Sequence, residues 1–398
     1  MNKKKMLVVY PFMMMGGSTT SLLSFLQNID KEKFDIDLLL YRNAGPLLKE
    51  IPEGVRLLPA VKKYKGRVGK LIEALIFLFS GNFLKAILKN RKLGKKGISS
   101  LILQECQAKL FSKKTTEHYD FAISFLEGWS NRYIAYSANA DKKYAWVHSV
   151  FSKTTDDIQF EKRWISKVSK VVFVTEACRN EFIEHLPEFS DKTVIAENII
   201  DSTVIKNRAK FIDSEDQSYK VFINSSAFKI VTVCRITIST KGLDRITECA
   251  KKLKADGMDF LWYIIGDGAD MPDFQKMINE AGIDDCLIPI GQRMNPYPFI
   301  EASDLMCMPS RYEGKPMVIT ESMILSVPPV VTRYLSADDQ IENGVDGIVI
   351  DNEDNSLYPC LSKLIVDKKM LQKLKVNLSN REYGNSSYMK HIEKELFS

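Results

Sequence analysis

The chain of 398 residues has no uninterrupted apolar run of about 18 residues, the length that a membrane-spanning helix requires. The apolar stretch from Leu71 to Phe79 is too short, so we expect no helix that crosses a membrane. The seven cysteines are scattered and form no C-x-x-C pair. This pattern argues against a disulfide framework and a zinc site. We expect buried free thiols in a reducing compartment.

A dinucleotide-binding fingerprint is also missing. Gly266-Asp-Gly268 follows a predicted strand, but Met271 stands where the third glycine of G-x-G-x-x-G belongs. An oxidoreductase that uses a nicotinamide cofactor is therefore disfavoured. The apolar fraction of 45%, the charged fraction of 27% and the net charge of +6 are those of an ordinary globular protein.

Apolar runs alternate with helical patterns along the whole chain, which predicts βα units and parallel sheets. Strands are predicted at 6–10, 36–40, 121–125, 144–147, 171–174 and 193–195, and then at 230–234, 260–265, 287–291, 305–308, 330–332 and 348–350. Helices are predicted at 18–29, 176–186, 243–254, 271–281, 318–325 and 387–397, among others. Ser18 is the predicted N-cap of the first helix. The opening residues imitate a secretory signal, but Pro11 and the glycines that follow favour a first strand.

The polar stretch 201–226 predicts a linker between two domains. We therefore predict two doubly wound, Rossmann-like α/β domains, 1–200 and 227–380, which face each other across a cleft. Residues 381–398 are expected to form a terminal helix that packs back on the first domain. Ligands of such sheets bind at the carboxyl ends of the strands.

Two carboxylates, Glu313 and Glu321, stand eight residues apart around a predicted helix start. The turn and helix start between them contain Gly314, Lys315, Pro316 and Met317. Proline suits the first helical position, because its missing N–H would have had no partner there. The N–H groups and the dipole of a helix start favour an anion. Carboxylates that hold sugar hydroxyls, with a phosphate between them, would suit a nucleotide-sugar, although such a glutamate pair also arises by chance.

Two further loops follow predicted strands of the second domain. Arg235 and Lys241 flank one loop, where both can reach a diphosphate, unless they are two solvated surface cations. In the other loop, Gly266 and Gly268 allow the backbone to approach a ligand, and a plain tight turn fits equally well.

From about Val231 to Asp351, the sequence resembles the donor domain of retaining glycosyltransferases of family 4. The resemblance rests on the Arg235–Lys241 loop, on the Gly266–Gly268 loop and on the E-x7-E motif from Glu313 to Glu321. The spacing from Arg235 to Lys241 is one residue longer than the family's commoner pattern.

The first half of the chain resembles the family at fewer positions. Gly16-Gly17 is similar to the glycine-rich loop that faces the donor phosphates and the acceptor. Trp146-Val-His148 is similar to the family's histidine segment beside the transferred sugar, although a lone histidine after a strand is as often structural. Glu197-Asn198-Ile-Ile-Asp201 resembles the segment that leads to the linker, with isoleucine in place of the family's glycine.

The resemblance implies the GT-B fold and retaining, metal-independent transfer of a hexosyl or N-acetylhexosaminyl group. The donor would be a nucleotide-sugar, with UDP favoured over GDP, and the acceptor a glycan or polyprenyl-linked glycan of the cell surface. Arg235 and Lys241 would stabilise the leaving diphosphate, Glu313 would contact the donor sugar and Glu321 would hold the ribose. His148 would position the donor sugar or the acceptor. No cofactor is expected, because the nucleotide-sugar is a co-substrate.

Three alternatives remain at the level of sequence. Asp35-Ile-Asp37 is formally the D-x-D metal motif of the other large glycosyltransferase fold, but it opens a predicted strand. An epimerase or hydrolase of nucleotide-sugars would have the same scaffold. A non-catalytic nucleotide-sugar-binding subunit is disfavoured. A subunit without catalysis could have lost some of these charged residues, whereas this chain has all four: Arg235, Lys241, Glu313 and Glu321.

The segment from Lys62 to Lys114 is strongly basic, with fourteen lysines and arginines against Glu73 and Glu105. Apolar residues are interleaved with these cations, notably at 71–79 and 83–88. This composition favours a helix in an anionic membrane interface, and a helix pair packed on the first domain is the alternative. No nucleic-acid motif accompanies the charge. We expect a cytoplasmic protein at the inner face of the cytoplasmic membrane.

Overall fold

The computed structural model describes residues 3–63, 66–79 and 98–398. The chain divides into two compact units, of which the first contains residues 1–199 and 387–398 and the second contains residues 200–386. The stretch 201–226, predicted as a linker, contains two helices and belongs to the second unit.

The first unit contains a parallel sheet of seven strands within the described residues. They are β1 Lys4–Tyr10, β2 Phe34–Leu40, β3 Val55–Leu57, β4 Tyr119–Ser124, β5 Ala140–Val147, β6 Lys170–Phe173 and β7 Thr193–Ile195. Their order is β3-β2-β1-β4-β5-β6-β7, and all neighbours are parallel. Its helices include α1 Gly17–Asn28, α2 Gly66–Phe79, α3 Ile98–Cys106, α4 Trp129–Tyr136, α5 Phe151–Thr154, α6 Ile158–Ile165 and α7 Glu176–His185.

The second unit contains a parallel sheet of six strands. They are β8 Phe228–Val233, β9 Phe260–Ile265, β10 Leu287–Gly291, β11 Leu305–Met308, β12 Pro329–Thr332 and β13 Ile348–Ile350. Their order is β10-β9-β8-β11-β12-β13. The helices are α8 Ser202–Ala209, α9 Gln217–Asn224, α10 Ile238–Lys241, α11 Leu243–Ala255, α12 Met271–Ala281, α13 Tyr297–Glu301, α14 Met317–Ile324, α15 Ala337–Gln340, α16 Leu357–Val366 and α17 Lys368–Ser379. The last helix, α18 Met389–Leu396, is part of the first unit.

The strands are apolar on both faces because helices cover both faces of each sheet. In β1, Met6 and Val8 contribute to one buried cluster, whereas Leu7 and Val9 contribute to the cluster on the opposite face. The terminal helix α18 packs on the face of Met6 and Val8. Phe397, the residue after this helix, contacts the aromatic ring of Phe34 on the same face. The second sheet is covered in the same way. Two doubly wound α/β units confirm the predicted fold class.

Local details differ from the predictions. The opening residues form the central strand β1, as predicted, but α1 begins at Gly17, so Ser18 lies inside its first turn. The Ser18 hydroxyl accepts a hydrogen bond from Tyr10 and caps no backbone N–H, so its prediction as the N-cap was wrong. Pro316 precedes α14 by one residue.

No helix of the described residues is long and apolar enough to cross a membrane. The predicted apolar stretch 83–88 lies outside the described residues. The seven cysteines all lie in the described residues and form no disulfide with one another. Four of them are buried, as predicted, whereas Cys234, Cys286 and Cys360 are only partly buried.

Candidate active site

The three predicted donor loops of the second unit follow neighbouring strands. They follow β9, β8 and β11, which are adjacent in the sheet, so the loops emerge side by side at its carboxyl edge. The strand order reverses between β8 and β11, and open α/β sheets bind ligands at such a switch point. The Arg235–Lys241 loop and the Glu313 loop therefore flank the position where this fold places a ligand.

Lys241 and Glu313 contact each other directly. Lys241 Nζ lies 2.5 Å from Glu313 Oε1, and the two side chains are only 19% and 12% exposed. Burial strengthens this pair relative to a surface ion pair, because fewer water molecules screen it. The structure thus brings together two residues that are 72 positions apart in the sequence. The Arg235 side chain, in contrast, is exposed and makes no ion pair within the described residues.

The glycines of these loops allow close packing between backbones. Gly242, which ends α10, has a left-handed φ of 66°, and a Cβ there would lie 2.2 Å from the Pro309 carbonyl oxygen. A Cβ at Gly266 would lie 1.8 Å from the Cys234 carbonyl oxygen, and one at Gly268 would lie 2.1 Å from that of Ile236. The structure therefore accounts for Gly266 and Gly268 by contacts between the β8 and β9 loops.

The turn before α14 is fixed by hydrogen bonds to its carbonyl groups. Ser336 donates to the Gly314 carbonyl, and Gln340 Nε2 donates to the Pro316 carbonyl at 3.0 Å. Met317 is buried as the first residue of α14, and no side chain caps this helix start. The partial positive charge of the helix N-terminus therefore lies at the carboxyl edge of the sheet, beside Glu313.

Glu321 lies just over one turn inside α14 and is only 6% exposed. The Tyr297 hydroxyl donates a hydrogen bond to its Oε1 at 3.2 Å. Burial raises the pKa of Glu321 to about 7, and this tyrosine bond and the charge of Arg208 oppose that rise. Arg208 also lies over the Tyr297 ring, at 5.2 Å from its centroid. Sequence analysis missed Tyr297 and Arg208, because neither lies in a motif.

In the first unit, Gly16 and Gly17 form the start of α1. Gly16 has a φ of 155°, and α1 begins at Gly17 without a side-chain cap. A Cβ at Gly16 would meet no atom within 4 Å. The backbone conformation rather than space therefore favours glycine at this position.

His148 follows β5 and packs against Phe125, with 5.1 Å between the ring centroids. Its Nε2 atom is buried and has no hydrogen-bond partner among the described residues. Burial lowers the pKa of His148 to about 4, so the ring is neutral near pH 7. Glu127 Oε1 accepts the backbone N–H groups of His148 at 2.5 Å and of Ser149 at 2.8 Å. Sequence analysis missed Glu127, whose loop lies between the glycine loop and the histidine loop.

The D-x-D pair lies within β2, and its Asp37 carboxylate already accepts hydrogen bonds from other residues of the unit. Arg56 donates two hydrogen bonds of 2.7 Å to Asp37, and the Tyr119 hydroxyl donates a third at 2.7 Å. Asp35 is exposed, whereas Asp37 is buried. Asp37 therefore has a structural role in the sheet.

Residues 213–381 match the family described as glycosyl transferases group 1. Alpha-D-kanosaminyltransferase of Streptomyces kanamyceticus is 22% identical over 325 residues, which is 77% of each chain. The UDP-Gal:alpha-D-GlcNAc-diphosphoundecaprenol alpha-1,3-galactosyltransferase of Escherichia coli is 25% identical over 137 residues, 34% of this chain and 35% of the relative.

The crystal structure of Anabaena Alr3699/HepE in complex with UDP-glucose has a TM-score of 0.71 to this chain, at 14% identity and over 99% of both chains. At this identity the likeness concerns the fold, which is the GT-B fold. Residues 213–381, which contain the Lys241 and Glu313 loops, match the group 1 family, and a relative that covers 77% of the chain is a glycosyltransferase; the protein is a glycosyltransferase.

Proposed function

We propose that the protein transfers a hexosyl or N-acetylhexosaminyl group from a UDP-sugar to a glycan or lipid-linked glycan in cell-surface polysaccharide synthesis. Transfer retains the anomeric configuration and needs neither a metal ion nor a cofactor. The observation that supports this most strongly is the Lys241–Glu313 contact at the switch point of the second sheet, beside the start of α14. The likeness in fold to a protein solved with UDP-glucose favours UDP as the nucleotide.

The leaving diphosphate gains negative charge as its bond to the anomeric carbon breaks. Lys241 and Arg235 supply cations at the carboxyl edge of the sheet, and the N-terminus of α14 supplies partial positive charge. A preorganised group of this kind stabilises a transition state by about 3 kcal/mol. This set of charges supports metal-independent transfer, because it would take the place of a divalent ion.

The two glutamates bind hydroxyl groups in this proposal. Glu313, held by Lys241 through Oε1, presents its carboxylate to the donor sugar. Glu321 accepts hydrogen bonds from the ribose. Glu313 lies before the start of α14, and Glu321 lies just over one turn inside it, so the two carboxylates lie on either side of the helix start. Gly314, Lys315 and Pro316 then form the turn that faces the diphosphate.

His148 acts as a hydrogen-bond partner of the donor sugar or the acceptor. Its buried Nε2 atom and its low pKa suit a neutral imidazole. Gly16 and Gly17 bring the backbone at the start of α1 to the donor phosphates or the acceptor. The leaving phosphate takes the acceptor proton, so no nucleophile of the protein is needed.

The exposed apolar face of helix α2 favours the proposal that the acceptor lies at a membrane surface. Val68, Leu71, Leu75 and Leu78 follow helical spacing, and all four are exposed, Val68 by 71% and Leu71 by 61%. On the opposite face of this helix, Glu73 forms an ion pair of 3.3 Å with the buried Lys62. An outward apolar face within a segment of fourteen cations suits an anionic lipid surface. We propose that the protein binds there, at the inner face of the cytoplasmic membrane.

Donor turnover tests the proposed function. Nucleotide release would be measured for a panel of UDP- and GDP-sugars, with and without membrane extract as acceptor. We expect release from a UDP-sugar that depends on acceptor, a product with the donor's anomeric configuration by NMR, and a loss of release in Glu313→Ala. The exposed Lys276→Ala is the matched control. Release of free sugar without acceptor would indicate a hydrolase instead.

Sedimentation with vesicles tests the membrane proposal separately. Wild type is expected to sediment with vesicles that contain anionic lipid, and Leu71→Glu with Leu75→Glu is expected to stay in the supernatant. Val366→Glu changes an apolar residue of the second unit that is at least as exposed as Leu71 and Leu75, and it should sediment like wild type. Equal sedimentation of all three proteins, or none at any salt concentration, would contradict the proposal.

A further inference from the structure

Arg311 connects the loop of Glu313 to the loop of Lys241. It lies two residues before Glu313, and its backbone N–H donates to the Thr240 carbonyl at 2.9 Å. Its guanidinium group donates to the Ser239 carbonyl at 2.9 Å and binds Asp244 bidentately, at 2.8 and 2.6 Å. Both carbonyls belong to α10, the short helix that ends at Lys241.

The helix α10 depends on such contacts because it is a single turn. An isolated turn of helix is unstable, since its nucleus costs more entropy than one hydrogen bond returns. Its last carbonyl groups have no partner within the helix. The Gly242 N–H satisfies the Ile238 carbonyl, and Arg311 satisfies the next two. A cation at the C-terminus of a helix is also favourable. The Asp270 carboxylate accepts the backbone N–H of Ile238 at the start of α10, and Arg311 of the Glu313 loop holds its end, so Arg311 helps to set where Lys241 lies.

A second arginine extends this connection to the loop after β13. Arg245 is only 5% exposed, and it donates to the Pro309 carbonyl at 3.2 Å and to Asn352 Oδ1 at 2.7 Å. Asp354 accepts hydrogen bonds from Arg245 at 2.8 Å and from Arg311 at 2.9 Å. Three loops at one edge of the sheet are thus joined by two guanidinium groups, and Arg311 is the group that reaches α10.

We propose that Arg311, together with Asp244, is a positioning pair that holds Lys241 against Glu313. The inference rests on the proposed function, because it assumes that Lys241 stabilises the leaving diphosphate. Arg311 acts through Lys241, so its loss displaces a charge that matters most in the transition state. The turnover number should therefore fall much more than the affinity for the donor.

Steady-state kinetics of Arg311→Gln, Asp244→Asn and the double variant test the proposal. A displacement of about 1 Å can cost about 100-fold in rate, so we expect each single variant to lose roughly 10- to 100-fold in kcat. The KM for the donor should stay within about twofold, since ground-state binding is kept. The double variant should be no slower than the slower single variant, because both substitutions break the same contact.

Lys254→Gln is the matched control, because it breaks an exposed Lys254–Asp285 pair of 2.7 Å in the same unit. It should keep the wild-type kcat. The proposal is overturned by losses that multiply in the double variant, by a raised KM at constant kcat, or by an equal loss in Lys254→Gln. If Arg311→Gln does not fold, Asp244→Asn alone tests the proposal, because it should lower kcat and leave the KM for the donor within about twofold. Wild-type turnover in the same assay tests the proposed function independently.

Discussion

Replacing Glu321 by glutamine is expected to remove one pH dependence from both folding and donor binding. The carboxyl group is buried in α14 with one hydrogen bond, from Tyr297, and it makes no ion pair within the described residues. Burial raises its pKa from an ordinary value of 4.5 to about 7. Glutamine has nearly the same shape and does not ionise, so the substitution isolates the charge.

The sign and size of the effect follow from this pKa. Between pH 4.5 and pH 7 the folded protein keeps a proton on Glu321 that the unfolded chain has released. The stabilisation is therefore fully present below pH 4.5 and is lost as pH rises to about 7. A pKa raised this far corresponds to about 3 kcal/mol of unfolding free energy. Wild type should lose about that amount relative to Glu321→Gln between pH 4.5 and pH 8.

Denaturant unfolding at pH 4.5 and pH 8 measures the unfolding free energies of wild type and Glu321→Gln. The contributions of groups that titrate in both proteins cancel when the two are subtracted. Glu280→Gln at an exposed position is the matched control and should show no such change. The KM of wild type for the donor should fall as pH rises through 7, because an ionised carboxylate accepts stronger hydrogen bonds from ribose hydroxyls. A difference between wild type and Glu321→Gln that is the same at both pH values would refute this reasoning.

Three further predictions concern single residues. Lys241→Ala should lower kcat about 100-fold in an assay of nucleotide release, because the leaving diphosphate loses a preorganised cation; an unchanged kcat would contradict its assigned role. The rate of wild type between pH 5.5 and pH 8 should show no step from His148, whose pKa is about 4, so His148→Ala should lower the rate without changing the shape of the profile. Arg56→Gln should lower the unfolding free energy by about 1–3 kcal/mol, because it leaves the buried Asp37 carboxylate with the Tyr119 bond alone; no loss in denaturant unfolding would contradict this role of the ion pair.

The strand pattern was predictable because strands buried on both faces are continuous apolar runs. The strand β3 was missed because Val55–Leu57 is short, partly exposed and contains a charged residue. The helices α8 and α9 were missed because a polar surface composition was interpreted as a linker. Asp201 and Asp216 cap these two helices, and N-cap signals of this kind were present in the sequence.

The candidate site was predictable only where its residues lie close together in the sequence. Glu313 and Glu321 share one segment, as do Arg235 and Lys241. The contacts of Arg311 with Asp244 could not be predicted in this way, because residues 67 positions apart meet only once β8 and β11 are neighbours. Strand order, rather than local pattern, determines such contacts.

Binding of UDP to the 398-residue chain, measured by isothermal titration calorimetry, tests the central claim most directly. The account predicts saturable binding at one site without added metal, which is retained in Lys276→Ala and strongly weakened in Glu321→Ala and Arg235→Ala. Absence of UDP binding, or equal binding in all four proteins, would contradict the assignment of the second unit's loops as the donor site.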